Sequence, residues 1–163
     1  MGARWTKKHG RLDYGYKDHI NVDRRHKLLR RYMVTGAARS DGQELDAVLD
    51  RVNTPRDVWG DSACRSAAIE EKLADRHDRS RVHRRPGRNR KLTEREQRGN
   101  TTRSKVRARV EHVFGHMVTS MGGKLVRTIV LVHARVKIGL QKLTYDMRRF
   151  VCLERMAEIS LLT

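Results

Sequence analysis

Apolar positions change period several times along this chain, and each change marks an element. Tyr14, Tyr16, Ile20 and Val22 alternate with polar residues, which predicts a strand from Tyr14 to Val22. Leu28, Leu29, Tyr32 and Val34 predict a second strand within His26 to Ala37, with a polar turn around Asp23-Arg24-Arg25 making a hairpin. Ser40-Asp41 offers a helix N-cap before Leu45, Val48 and Leu49, and Asn53-Thr54-Pro55 ends that helix. Asp57 to Ala63 reads as a short strand carrying Val58 and Trp59. Ser66 caps the next helix, with Ile69 and Leu73 one turn apart. Arg81-Val82-His83 reads as one more short strand. Val106, Val110, Val113, Phe114, Met117 and Met121 recur at helical spacing until Gly122-Gly123. Thr128 to Val132 is apolar and β-rich. Ala134 to Met156 predicts a last helix with Val136, Leu140, Leu143, Met147, Phe150 and Val151 facing inward. Met1 to Leu12 reads as irregular. Strands and helices mixed in this order predict an α/β fold.

Composition narrows the picture. The 163 residues suit one domain, and 37% hydrophobic with 5% aromatic predicts an aliphatic core with few large anchors. No apolar run approaches the roughly 20 residues needed to cross a bilayer. Met1 to Arg11 lacks the apolar centre of a secretion signal. Cys64 and Cys152 stand far apart, so neither a disulfide scaffold nor a zinc ribbon is predicted; both are expected to be buried, in a reducing cytoplasm.

Charge changes it most. The 37 Lys and Arg exceed the 19 Asp and Glu to give a net charge of +18, which calls for a polyanionic partner, nucleic acid first. Fourteen basic residues against three acidic ones fall between Arg76 and Arg109, and Pro86-Gly87 breaks the run, so 76–109 is expected to be a basic arm. Two acids flank it: Asp61, after the Val58-Trp59 run, and Glu111, on the helix that follows. Carboxylates able to share divalent metal, set among arginines, point to phosphodiester chemistry. His112 and His116 have the spacing of helical zinc ligands, but Val113 stands where a metalloprotease needs Glu, so both are expected to be solvated beside a DNA-facing helix. Gly122-Gly123-Lys124 lacks the upstream glycine and following hydroxyl of a phosphate loop.

Five motifs carry a family resemblance: Arg4-Trp5-Thr6-Lys7-Lys8-His9-Gly10, Gly15-Tyr16-Lys17-Asp18-His19-Ile20-Asn21-Val22-Asp23, Asp57-Val58-Trp59-Gly60-Asp61-Ser62-Ala63, Arg107-Ala108-Arg109-Val110-Glu111-His112-Val113-Phe114 and Tyr145-Asp146-Met147-Arg148-Arg149. Over nearly its whole length the chain resembles bacterial insertion-sequence DDE transposases, nearest the group numbered five within the four-like superfamily. The resemblance implies a ribonuclease-H-like domain whose three acids bind two Mg²⁺. Asp61 matches the second acid, Glu111 the third, and Arg107 the arginine four residues before it. The first acid sits in relatives on an opening strand upstream of the Trp-Thr-Lys-Lys motif, here at residues 5–8, so the domain is expected to lack its first strand and the Mg²⁺ site to be incomplete. Cys64 stands where relatives usually have tyrosine, and Gly36 where they have aspartate. Asp18 and Asp23 are expected to serve the turn and strand face rather than replace the missing acid.

These expectations make residues 1–163 part of a transposase domain, with the arm at 76–109 and the final helix at 134–156. Lys7, Lys8, Arg84, Arg85, Arg88, Arg90, Lys91, Arg103, Lys105 and Arg107 would contact DNA. The expected setting is the bacterial cytoplasm, at the nucleoid. An upstream transposase fragment would supply the first acid, and the completed enzyme would be a homo-oligomer that cleaves and joins DNA strands. A non-catalytic DNA-binding remnant is the alternative; a basic RNA- or ribosome-associated protein is a weaker one.

Overall fold

The computed structural model describes residues 2–8, 10–50, 52, 56–123 and 126–161. Its first sheet has three antiparallel strands: β1 Arg4–Lys8, β2 Arg11–Val22 and β3 Leu29–Gly36, in that order. The segment expected to be irregular thus forms a hairpin, Arg4 opposite Gly15 and Lys8 opposite Arg11. Gly10, at φ +80°, makes the turn, and Trp5 packs on Tyr14 with ring centroids 5.0 Å apart. Cross-strand pairing outweighs the polar composition that argued for a loop. The second hairpin forms as expected, from Tyr16 opposite Gly36 to Val22 opposite Leu29.

Helix α1, Asp41–Val48, starts at Ser40 with Gln43 completing a capping box. The expected stop at Asn53-Thr54-Pro55 lies outside the described residues; the helix itself ends at Val48. The next strand is shorter than expected. β4 covers only Asp57–Val58, and a single 3₁₀ turn, Ser62–Cys64, follows it with Asp61 as its N-cap. α2, Ala67–Asp75, is capped by the Ser66 hydroxyl, which accepts from the Ile69 N–H at 3.2 Å. The last strand comes two residues before the predicted one: β5 is Arg79–Ser80, parallel to β4, while Val82 is fully buried beyond it.

β4 and β5 form a sheet separate from the first. Among the described residues, 16–22 of β2 pair only with β3, and β4 only with β5. Between those edges lies a cavity of about 190 Å³, lined by Ile20 and Val22, Val58 and Trp59, Val48 and Leu49, and Val106 and Arg107.

α3, Glu94–Thr119, takes up the second half of the expected basic arm. Its Thr93–Glu96 capping box is the reason: Thr93 Oγ1 accepts the Glu96 N–H at 3.3 Å, and the Glu96 carboxylate accepts the Thr93 N–H at 3.0 Å. The remainder of the arm is pinned to α3 through Arg84 and Asn100, whose amide bonds the Arg84 backbone at 3.0 Å in both directions. The helix ends just before Gly122, which takes φ +62°. Val113 and Met117 form a buried cluster with Tyr145, flanked by Ile20, Val22 and Leu29.

The Thr128 to Val132 run is not a strand; Val130 makes one isolated bridge to Gly2, and α4 begins at Leu131 and runs to Leu161. α4 also turns the other way round from expectation. Val136, Leu140, Leu143, Met147, Phe150 and Val151 are exposed, whereas Ala134, Ile138, Lys142 and Tyr145 are buried against the sheet and α3. Two features select this face. Lys142 ion-pairs with Asp18 of β2, and Gly139 admits Tyr32 of β3 so closely that a Cβ would meet its hydroxyl at 2.5 Å. Cys64 is buried as expected, but Cys152, on α4, is exposed.

Candidate active site and nucleic-acid surface

Asp61 and Glu111, fifty residues apart in sequence, close on one side chain. Arg107 reaches the Asp61 carboxylate through Nη1 at 3.5 Å and the Glu111 carboxylate through Nη2 at 2.9 Å. Helical spacing puts Arg107 and Glu111 on one face of α3. The 3₁₀ turn after β4 brings Asp61 to the same guanidinium. Burial pushes the Asp61 carboxyl up, but the Arg107 charge and the adjacent Ser62 and Ala63 amides outweigh it, and its pKa ends below the ordinary value. Asp61 therefore stays ionised. Both carboxylates are roughly half exposed, so a reactant can reach them.

The pair does not by itself fit a two-metal site. No group of three metal-donor side chains converges among the described residues, and the Arg107 guanidinium occupies the position between the carboxylates that a cation would take. Arg107 also lines the cavity between β2 and β4. Arg107 is thus shared between the carboxylate pair and the lining of that cavity.

Behind Asp61 stands a network that the sequence pattern does not reveal. His19, buried on β2, bonds the Asp41 carboxylate through Nδ1 at 2.9 Å and Thr35 Oγ1 through Nε2 at 2.9 Å; Lys17 reaches Asp41 at 3.1 Å. The His19 hydrogen bond, with Lys17 and against burial, lowers the Asp41 pKa to about 2. Burial, with Asp41 and Asp61 both nearby, raises the Cys64 thiol, which is the opposite of a reactive cysteine. The network ties the start of α1 to the sheet next to the turn that carries Asp61. Asp18 and Asp23 take structural positions: Asp18 holds Lys142, and Asp23 accepts the His26 N–H.

The expected DNA contacts divide into free and engaged cations. Arg84 and Arg90 both pair with Glu96, at 3.5 and 2.7 Å, and Arg107 is committed to the acids. Arg103 is half-buried and donates to Asn100 at 3.2 Å; burial, with Arg84, Arg65 and Arg81 close by, lowers its pKa. Lys7, Arg85, Arg88, Lys91 and Lys105 are exposed. Lys8 closes β1, but its side chain lies outside what is described. His112 faces Lys27 at 3.5 Å and His116 sits edge-on to Tyr145, so neither is simply solvated. No described helix is long and apolar enough to cross a membrane.

A family model described as a transposase DDE domain matches residues 1–147. A transposase for insertion sequence element IS1106 from Neisseria meningitidis serogroup B is 31% identical over 113 residues, which cover 69% of this chain. The matched part is 39% of that relative's length. No solved structure matches.

Proposed function

Because this chain belongs to the transposase DDE-domain family, we propose that it works in DNA transposition as the C-terminal part of a catalytic domain, with Asp61 and Glu111 as two of its three metal-binding acids. The observation that carries this reading is Arg107, which bridges both carboxylates and also lines the cavity between β2 and β4. A strand has the right form for that cavity. It would satisfy the open backbone edges on both sides and bring its own side chains to Arg107. An acid on such a strand, supplied by an upstream transposase segment, would complete the triad. Divalent metal, with Mg²⁺ the ion expected, would then supply the charge neutralisation that phosphodiester cleavage needs.

Within this chain, Arg107 holds Asp61 and Glu111 in register and keeps Asp61 ionised. Arg85, Arg88, Lys91 and Lys105 hold phosphates along the arm and the start of α3. The His19–Asp41 network steadies the turn beneath Asp61. The exposed apolar stripe of α4 supports assembly of the completed enzyme, either against its own upstream part or as a homo-oligomer. DNA as partner supports a setting at the nucleoid, in the cytoplasm.

One observation favours the second reading, a non-catalytic DNA-binding chain: Arg107 already pairs with both acids, and no third donor joins them among the described residues. Co-expression with the polypeptide encoded upstream of Met1 separates the two. Mg²⁺-dependent nicking of element-end DNA is expected only with that polypeptide present, and only while Asp61 and Glu111 are intact. Nicking by the 163-residue chain alone, or nicking that survives Asp61→Asn, would refute the catalytic proposal. Tight DNA binding with no nicking in any combination would leave the non-catalytic reading.

A further inference from the structure

Between the β2–β3 turn, α3 and α4 lies a groove of about 620 Å³ whose charged lining is entirely basic. Lys27 enters it from the turn, His112 and His116 from α3, and Arg148 and Arg149 from α4. Elsewhere some basic side chains are matched to acids, among them Arg30 with Asp50, Arg39 with Glu44, and Arg76 with Asp46 and Asp78. In the groove none of Lys27, Arg148 and Arg149 forms an ion pair among the described residues. Asp146, on the same helix, faces away to the β3 edge, where it accepts the Leu29 N–H at 2.9 Å.

These cations are held together. Lys27 sits at φ +60°, and its carbonyl accepts the Tyr145 hydroxyl at 3.0 Å. Arg149 donates to the His26 carbonyl at 2.7 Å. Lys27 Nζ lies 3.5 Å from His112 Nδ1. Lys27, Arg148 and Arg149 line one groove with no acid in its lining, and an anion held there relieves their mutual repulsion. His112 follows Glu111 on α3, about 100° further round the helix, so the groove lies on the face next to the one that carries Glu111.

We infer that this groove is a second phosphate-binding track, separate from the basic arm, that holds the sugar–phosphate backbone of a DNA strand running past Glu111. The inference rests on the DNA-binding part of the function proposed above. It adds Lys27, Arg148 and Arg149 to the surface, residues that the charge pattern along the chain does not single out.

The test is the salt dependence of binding between the full chain and a fluorescent duplex of arbitrary sequence. The double variant Lys27→Gln, Arg148→Gln is chosen because the Arg148 guanidinium makes no hydrogen bond among the described residues and Lys27 Nζ makes only the long, 3.5 Å contact to His112. Its slope of log K against log salt is expected to shrink by about 0.9 for each cation removed. The charge-conserving variant Arg148→Lys is expected to keep the wild-type slope, which guards against a loss caused by misfolding. A wild-type slope in the double variant, with alanine substitution of Arg85, Arg88 and Lys91 still lowering it, would overturn the groove and leave DNA binding by the arm intact. No duplex binding by the wild-type chain would overturn both. Displacement of the duplex by inorganic phosphate at fixed ionic strength, lost in the double variant, would also overturn the strand assignment, in favour of a free-phosphate site.

Discussion

At the scale of single residues, Arg107 matters most because it serves two acids at once. Arg107→Gln should raise the Asp61 pKa back toward its ordinary value, readable by carboxyl NMR titration; an unmoved titration would show that the neighbouring amides, not Arg107, hold Asp61 down. The stability lost should stay below about 1 kcal/mol, since these partners are largely exposed and solvent-screened. Asp41 gives a sharper pH test. Its folded pKa, about 2, lies below the ordinary 3.8. Its contribution to stability is therefore fully present above 3.8 and is lost as pH falls toward 2. His19→Gln should move the Asp41 titration upward and flatten that dependence. An unchanged titration in the variant would mean that Lys17 alone sets the shift.

At the scale of elements, two attachments decide how the helices sit. The buried Asp18–Lys142 pair locks α4 onto β2. Asp18→Ala should cost roughly 3–5 kcal/mol in urea denaturation, because Lys142 is left buried without its partner. Replacing both by apolar residues of similar volume should recover most of that loss. If the single variant loses less than about 1 kcal/mol, Lys142 escapes to solvent and the helix is held by packing alone. The second attachment is the α3 cap, and Thr93→Ala should cost about 1 kcal/mol. By contrast Leu143→Gln and Met147→Gln, on the exposed face of α4, should each change the stability of the chain alone by less than about 0.5 kcal/mol. A large loss from either would show that this face is buried in solution.

At the scale of the molecule, a sheet in two pieces and a charge of +18 set the behaviour. Open edges on β2 and β4 should make the chain prone to association and broad in its unfolding. Adding an upstream segment that fills the cavity should raise and sharpen the thermal transition. A cooperative transition for the chain alone, unaffected by that segment, would show that the two sheets need nothing between them. Charge predicts duplex binding with little sequence preference and steep salt dependence. A salt-independent affinity would exclude phosphate contacts as its source.

Local signals were enough for much of this protein. Ser40 and Ser66 cap helices by bonds to residues three positions away, and the β2–β3 hairpin follows from alternation on both sides of a polar turn, whereas the Thr93 cap was hidden by the basic composition that argued for an arm. Helical spacing alone selected the inward side of α3. Asp61 and Glu111 stood out through their motifs, and the spacing of Arg107 from Glu111 placed those two on one face. Only the tertiary structure decided the rest. It brought Arg107 to Asp61, turned the richer apolar stripe of α4 outward, and gathered Lys27 with Arg148 and Arg149 in one groove. The α4 case shows why. Hydrophobic periodicity treats Lys142 as a solvent-facing charge, whereas Asp18, 124 residues earlier, makes its burial affordable. Such compensation between distant residues leaves no trace in the local pattern, because each partner taken alone argues for the surface.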